Sequence, residues 1–381
     1  MKVELAKLWQ EAVRTEIPGA VELRHRLHAD PRISGQEEDT AVAVTEAIGC
    51  GPGKVVAGTG RLIDITGVGP RVVVVRAELD ALPVVELTGA PWRSGNLAMH
   101  ACGHDVHLAA LTAVVRAAAE MDLPARLVAL LQPREEGTDS GARDVVDEGW
   151  TADWDGIVAA HVQPQLPRGV IGVTPGPVNA ATAELTIEVT GRGGHSGYPH
   201  TVDDSVLALS SIVVALQQLG SRRINPVHGC AMMINQLNAG SAANVVPPRA
   251  VARGTIRTMT VTDTRLAEAA MRDIVHHVAA AHGCEGILVM HPAEPVLAND
   301  PVYATSAGLL LAGLGHEVDS SWRSFGSDDF SHFSSVSRGL MMFVGTGSQT
   351  GGLHDASYLP HDDDIALVAD ALIAGYCAVV G

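Results

Sequence analysis

Apolar residues along the chain fall into distinct kinds of run. Short all-apolar runs recur at Val72–Val75, Leu127–Leu131, Ile157–Ala160 and Leu340–Val344. Runs of that length without polar alternation predict strands buried on both faces, as in a parallel sheet covered by helices. Helical spacing appears before and between them. Val21 to His28 carries Arg24, His25, Arg26 and His28, and this helix should stop near Asp30-Pro31, because the residue before proline disfavours the α region. Such a basic cluster reads as a solvated face. The pattern is helical again from Asp105 through Met121, from Pro301 to about Leu314, and from about Asp364 to the end.

A second style intervenes after Gly172-Val173-Thr174-Pro175-Gly176-Pro177. Glu184 to Val189 and Ala250 to Thr258 alternate polar and apolar, the pattern of half-exposed strands. Two helices are expected with them, about Asp203 to Leu219 and Asp263 to Ala281, the second with Asp263 and Thr264 as cap candidates and Gly283 as its stop. The first style returns beyond His291-Pro292. The expected organisation is a discontinuous α/β domain of residues 1–177 and 293–381, interrupted by a smaller α+β domain of residues 178–292. There is no internal repeat and no low-complexity linker.

Length and composition agree with two packed domains: 381 residues, 46% hydrophobic and 18% charged. The formal net charge of -17 argues against nucleic acid and anionic membrane surfaces as partners, since both need clustered Lys and Arg. No apolar run approaches the roughly 20 residues of a membrane span, and Lys2, Glu4 and Lys7 interrupt the first ten positions, so a cytoplasmic protein is expected. Cys50, Cys102, Cys230, Cys284 and Cys377 are odd in number and scattered without a CxxC pair. That supports neither a disulfide framework nor a zinc ribbon. Four of them read as small buried hydrophobes.

Cys102 stands apart. The stretch His100-Ala101-Cys102-Gly103-His104-Asp105-Val106-His107 packs a thiol, three imidazoles and a carboxylate into eight residues. Cys102 and His104 are two apart, so they share a side in extended chain, and Gly103 lets the backbone bend between them. Taken alone, the stretch could be a histidine-rich loop with a structural cysteine. The other strand exits weigh against that. One apolar run leads to Asp80, the next to Glu135 and Glu136, the third to His161, and His354 comes after the last. Open α/β sheets place their sites at such exits. Cys102, His104, Glu135, Glu136, His161 and His354, backed by Asp80, are too many donors for one tetrahedral zinc and suit two divalent ions sharing a bridge. Adjacent acids cannot face the same way in extended chain, so one of Glu135 and Glu136 would ligate and the other would act as general base toward water.

A set of motifs appears in order along nearly the whole chain: Leu27-His28-Ala29-Asp30-Pro31, Asp80-Ala81-Leu82-Pro83, His100-Ala101-Cys102-Gly103-His104-Asp105, Gln132-Pro133-Arg134-Glu135-Glu136-Gly137, Gly191-Arg192-Gly193-Gly194-His195-Ser196, Asn244-Val245-Val246-Pro247, Gly254-Thr255-Ile256-Arg257-Thr258, Gly326-Ser327-Asp328-Asp329-Phe330 and Leu353-His354. Each is weak alone. As an ordered set they closely resemble the metal-dependent amidohydrolases of the aminoacylase and carboxypeptidase G group, in particular the branch of hippurate hydrolase and the plant auxin-conjugate hydrolases. The resemblance implies a metallopeptidase catalytic domain with a mixed, mostly parallel sheet flanked by helices, and an inserted lid that commonly dimerises. It implies hydrolysis of the amide of N-acyl amino acids, with a small-molecule substrate and a second copy of the chain as the partners.

The same resemblance implies that Cys102 bridges two divalent ions, that His104, Glu136, His161 and His354 complete their shells, and that Glu135 is the base. Zn²⁺ is favoured by a thiolate, Mn²⁺ also suits carboxylate and imidazole, and Co²⁺ or Ni²⁺ are alternatives. His195 would stabilise the oxyanion, often from the partner subunit. Asn244 and Arg257 would hold the substrate, the guanidinium being suited to a carboxylate fork. Three positions depart from the family pattern: Glu78 stands where the branch has Asp, Arg32 where an acid is usual, and Asp328 where Glu is usual. No ligand position is lost. Two other readings stay open, a dipeptidase or carboxypeptidase of the same group and an inactive metal-binding protein; Glu135 speaks against the latter, since a binding site needs no base.

Overall fold

The computed structural model describes residues 2–137, 139–347 and 351–381. The chain forms two compact units, one of Met1–Val178, Ala298–Arg323 and Asp328–Gly381, the other of Asn179–Leu297 and Ser324–Ser327.

The first unit is α/β. Its eight-stranded sheet runs, in spatial order, Lys54–Val56, Gly60–Thr66, Arg126–Gln132, Val72–Glu78, Gly156–Gln163, Gly339–Gly345, Val170–Gly172 and Glu317–Asp319. The four consecutive strands from Arg126–Gln132 to Gly339–Gly345 are mutually parallel. Three of them are buried at every position, and the fourth at all but Arg126. This is the burial expected of all-apolar runs covered on both faces. Helices Lys2–Ala29, His104–Ala119, Pro301–Gly313 and Asp364–Val380 supply the cover. Trp9 of the first is wholly buried, meets Tyr376 of the last edge-on at 5.2 Å and donates its indole N–H to the Val114 carbonyl. Among the described residues no helix is long and apolar enough to cross a membrane.

The basic cluster on the first helix is not a solvated face. Arg26 is exposed and His25 half-buried, but Arg24 and His28 are fully buried in ion pairs with Asp105. Helical spacing put all four on neighbouring positions; the buried carboxylate that draws two of them inward lies about 80 residues further on, beyond any local pattern. The cysteines also divide: Cys102, Cys284 and Cys377 are buried, Cys50 and Cys230 only half-buried.

The second unit is α+β. Its antiparallel sheet has four strands in the order Cys230–Ala239, Arg249–Thr258, Ala181–Thr190, Glu285–Pro292. Ala183, Leu185, Ile187 and Val189 point to one face and pack on helices Ser205–Leu216 and Val261–Ala281. The two central strands are those whose alternation is legible. The two outer ones are not, because a register shift between Ile234 and Gln236 breaks the period of one, and the other comes soon after the long helix and is buried at few positions. The cap of that helix is Thr260, whose hydroxyl oxygen accepts the Asp263 N–H, rather than Asp263 or Thr264.

Candidate metal centre

The strands of the first unit bring Cys102, His104, Glu135, Glu136, His161 and His354 together. Donor atoms of Cys102, His104 and His161 form one group within 4.8 Å of one another, those of Cys102, Glu136 and His354 a second, and those of His104, Glu135 and Glu136 a third. Cys102 belongs to the first two.

The backbone around this cluster is set by close approach. Gly103 precedes the helix His104–Ala119 at φ +84°, and a Cβ there would sit 2.4 Å from Val162 Cγ2. Only glycine meets both demands. Arg134 and His354 are non-glycine residues at positive φ, 54° and 69°, conformations that surrounding structure must impose. The Arg134 N–H donates to Glu37, and its guanidinium reaches Asp139, Asp144 and the Ala57 carbonyl. The His354 N–H donates to the Ala101 carbonyl at 2.9 Å, tying that loop to the Cys102 segment.

Side-chain hydrogen bonds fix how each donor presents itself. His104 Nδ1 lies 2.8 Å from the Asp80 carbonyl and His161 Nδ1 lies 2.7 Å from the Val162 carbonyl. A carbonyl only accepts, so both rings carry a proton on Nδ1 and turn Nε2 toward the cluster, the nitrogen through which each would ligate an ion. Asp80 is buried, and its two carboxylate oxygens accept the N–H groups of Glu135 and Glu136 at 3.1 and 2.9 Å. It therefore holds the turn that carries both acids.

The donor set fits divalent ions. Two ligands about 2.0–2.3 Å from one ion at a near-tetrahedral angle lie about 3.3–3.8 Å apart. Cys102 Sγ is 3.5 Å from His161 Nε2, and His354 Nε2 is 3.4 Å from Glu136 Oε1. His104 Nε2 and Glu136 Oε1 are buried and, among the described residues, have no hydrogen-bond partner. Unsatisfied buried lone pairs at this spacing are what a cation would satisfy.

The electrostatics agree. Burial, then Glu136 and Glu135, push the Cys102 thiol well above its ordinary range, an effect that a divalent ion reverses when it takes a thiolate. Burial pushes His161 down to about 3, which keeps it neutral. The adjacent acids part company: burial with Glu136, Asp328 and Asp329 raises Glu135 well above the carboxylate range, whereas Glu136, despite its burial, is lowered by His354 and His104. The more basic of the pair is Glu135.

Beneath the cluster lies a charged network that local pattern does not foretell. Arg76, fully buried, pairs with Glu78, with Asp329 at 3.0 Å and with Asp328 at 3.4 Å, and donates to Gln132 at 2.7 Å. Glu78 accepts from His107 Nδ1 at 2.8 Å, and His107 Nε2 in turn accepts the Val162 N–H. Glu78 thus joins the helix of His104 to the strand of His161. Asp329 also accepts from Gln132, Ser140 and the Ala142 N–H, which ties down the loop after Gln132. A usable signal was an Arg and a Glu two apart on one side of a strand that begins with four valines.

His195, Asn244 and Arg257 belong to the second unit. His195 is exposed, in a two-residue strand paired with Val245–Val246, and Asn244 is exposed beside it. Its carbonyl accepts the Ser196 N–H at 3.1 Å. The half-buried Arg257 donates Nη1 to the Phe325 carbonyl at 2.6 Å.

The sequence model of peptidase family M20/M25/M40 matches residues 74–374. The chain is 30% identical over 369 residues to N-acetylcysteine deacetylase of Bacillus subtilis, covering 94% of this chain and 96% of that protein. It is 31% identical over 366 residues to N-acetyldiaminopimelate deacetylase of Listeria monocytogenes, covering 93% and 97%. Among solved structures, a dinuclear metal-binding peptidase of the M20 family from Bacillus subtilis superposes with a TM-score of 0.84 at 26% identity, covering 96% of this chain and 99% of that one.

Proposed function

Because the chain belongs to peptidase family M20/M25/M40, we propose that it cleaves the amide bond of N-acyl amino acids at the Cys102 cluster, releasing the acyl acid and the free amino acid. The observation that carries this reading is the pair of donor groups sharing Cys102, with a buried and basic Glu135 beside them. Deacetylation of N-acetyl amino acids is the chemistry common to the two deacetylases it resembles.

Cys102, His104 and His161 would hold one ion and Cys102, Glu136 and His354 the other, and the ions would supply Lewis acidity to the scissile carbonyl and to the attacking water. Zn²⁺ is the first choice for a thiolate-bridged pair, Mn²⁺ the second. Glu135 takes the proton from the attacking water and returns it to the leaving amine nitrogen. Asp80 keeps the Glu135 backbone in place while that proton moves. His195 would supply the oxyanion donor. The Gly197 N–H donates to His195 Nδ1 at 2.9 Å, so the neutral ring has its proton on Nε2, free to donate. Arg257, with Asn244, would hold the substrate carboxylate through the guanidinium donors that the Phe325 carbonyl leaves free.

A panel of acetyl and benzoyl amino acids against dipeptides tests the substrate class. Turnover of the acylated compounds and little of the dipeptides is expected. The reverse order would make the protein a dipeptidase or carboxypeptidase, with an acid in the acyl pocket to meet the free ammonium.

We assign dimerisation to the second unit. Cys230–Ala239 is an edge strand exposing Met233 and Leu237, and helix Ser205–Leu216 exposes Leu207 and Val214. An open strand edge beside an apolar stripe favours cover by a second copy. Sedimentation at micromolar concentration should give twice the chain mass of 39.7 kDa. A fully active monomer would refute the dimer and confine any role of His195 to its own chain.

A further inference from the structure

The helical turn from Arg24 to His28 carries buried charge that the proposed hydrolysis leaves unused. His28 is fully buried, with Nδ1 3.0 Å from Asp105 Oδ2 and Nε2 3.2 Å from Glu86 Oε2. Nδ1 is hydrogen-bonded to Asp105, whereas Nε2 makes no hydrogen bond among the described residues and meets Glu86 only as an ion pair, so a carboxylate on each side of the ring favours its imidazolium form. Arg24 donates Nε to the same Asp105 oxygen at 3.0 Å, Nη2 to the Pro360 carbonyl and Nη1 to Asp362, both at 2.6 Å. Trp92 covers the turn, stacked on His25 at 4.2 Å, edge-on to His28 at 4.9 Å and 5.1 Å from the Arg24 guanidinium. Arg24 and His28 are the cations beside the buried Asp105 and Glu86, and the partly exposed Asp362 adds a third carboxylate at the outer end of Arg24.

Each partner of the turn leads to a ligand segment. Asp105 is next to His104 at the start of its helix. Glu86 accepts the Ser94 N–H at 2.6 Å and the Thr88 hydroxyl, folding the segment between Asp80 and Cys102. Pro360 and Asp362 lie a few residues beyond His354. We propose that His28 is a positioning residue of the metal centre: clamped between Asp105 and Glu86, it sets the His104 helix against the segment leading to Cys102, and Arg24 adds the segment carrying His354. This rests on the proposed two-ion centre at Cys102.

With a neutral side chain at position 28, Glu86 loses the cation it pairs with and Asp105 keeps only Arg24. A buried uncompensated carboxylate is costly, so one of them moves toward water or takes a proton, and its segment moves with it. Burial alone would lower the proton affinity of His28, but Asp105 and Glu86 outweigh both burial and Arg24, and the net effect is upward from 6.5. Of the nearby rings, burial keeps His100 neutral, pushing it down to about 3, and His25 lies across Trp92 beside Asp362. A folded state that holds the proton more tightly gains stability from His28 below about pH 6.5 and loses it as pH rises through the raised value.

The test compares the full-length wild type with His28→Gln and with His28→Gln/Glu86→Gln. All three are stripped of metal, titrated with Co²⁺ or Zn²⁺ against a competing chelator, and melted from about pH 6 to pH 9. His28→Gln should bind metal about 10-fold to 100-fold more weakly, as loss of an outer-shell partner does. Its kcat should fall with KM unchanged, and its melting-temperature deficit should narrow as pH rises. The double variant removes the carboxylate that the single variant leaves without its cation and should recover part of the metal affinity. A folded His28→Gln with wild-type metal affinity and kcat overturns the proposal, as does a double variant weaker than the single. If His28→Gln does not fold, a double variant that folds and binds metal supports the clamp, and one that fails too overturns it. Wild type that binds no metal sinks the metal-centre reading and the proposal together, a result distinct from a wild-type site that is indifferent to His28.

Discussion

Glu135→Gln should lower kcat by about 10²-fold to 10⁴-fold while leaving metal content near that of the wild type. The amide preserves size and hydrogen bonding, and Asp80 grips residue 135 through its main chain, so the turn stays where it is. What is lost is the ability to take a proton. Glu136→Gln should fail differently. Glu136 is the acid whose Oε1 lies 3.4 Å from His354 Nε2, and His354 and His104 hold it ionised against its burial. Its replacement removes a charged ligand, so metal occupancy itself should fall, and excess metal should partly restore the rate. Metal analysis beside turnover separates the two. Metal loss in Glu135→Gln with retention in Glu136→Gln would reverse the assignment, and normal turnover in both would remove these acids from the active site.

The core strands and the donors at their ends were legible because they depend on local chemistry. The run Val72–Val75 has no polar face, so it can only be buried on both sides, and the residues at the exit of such a strand lie at the sheet's carboxyl edge. Arg76 and Glu78, in the same strand, show where that reasoning stops. A local pattern assigns charged residues to solvent, yet both are buried, because Asp328 and Asp329 arrive from about 250 residues away and His107 from the facing helix. A solvated face is the wrong reading of Arg24 and His28 for the same reason, their burial resting on the distant Asp105 and Glu86. The outer strand Cys230–Ala239 escaped because its bulge breaks the two-residue period on which the reading depends. The left-handed backbone at Arg134 and His354 has no signature in residue type, since neither is glycine.

Removal of metal should have the largest effect of any single treatment. Without a cation, the Cys102 thiol is pushed well above its usual range by burial and by Glu136 and Glu135, and His104 Nε2 and Glu136 Oε1 have no hydrogen-bond partner among the described residues. Polarisation of the carbonyl and of the attacking water is then absent together, and Glu135 has only an unactivated water to work on. The protein should keep its fold, because the Arg76 and Arg24 networks hold the strand ends and helix starts independently of any ion.

The central claim is that two ions bound at the Cys102 cluster make the chain an N-acyl amino acid hydrolase. It is tested most directly by following amino acid release from an N-acetyl amino acid by stripped protein as Zn²⁺ or Mn²⁺ is added back. No turnover is predicted before addition, and the rate should then rise and saturate at two ions per chain. Full activity in metal-free protein, or a metal-saturated protein that hydrolyses no N-acyl amino acid, would contradict the claim.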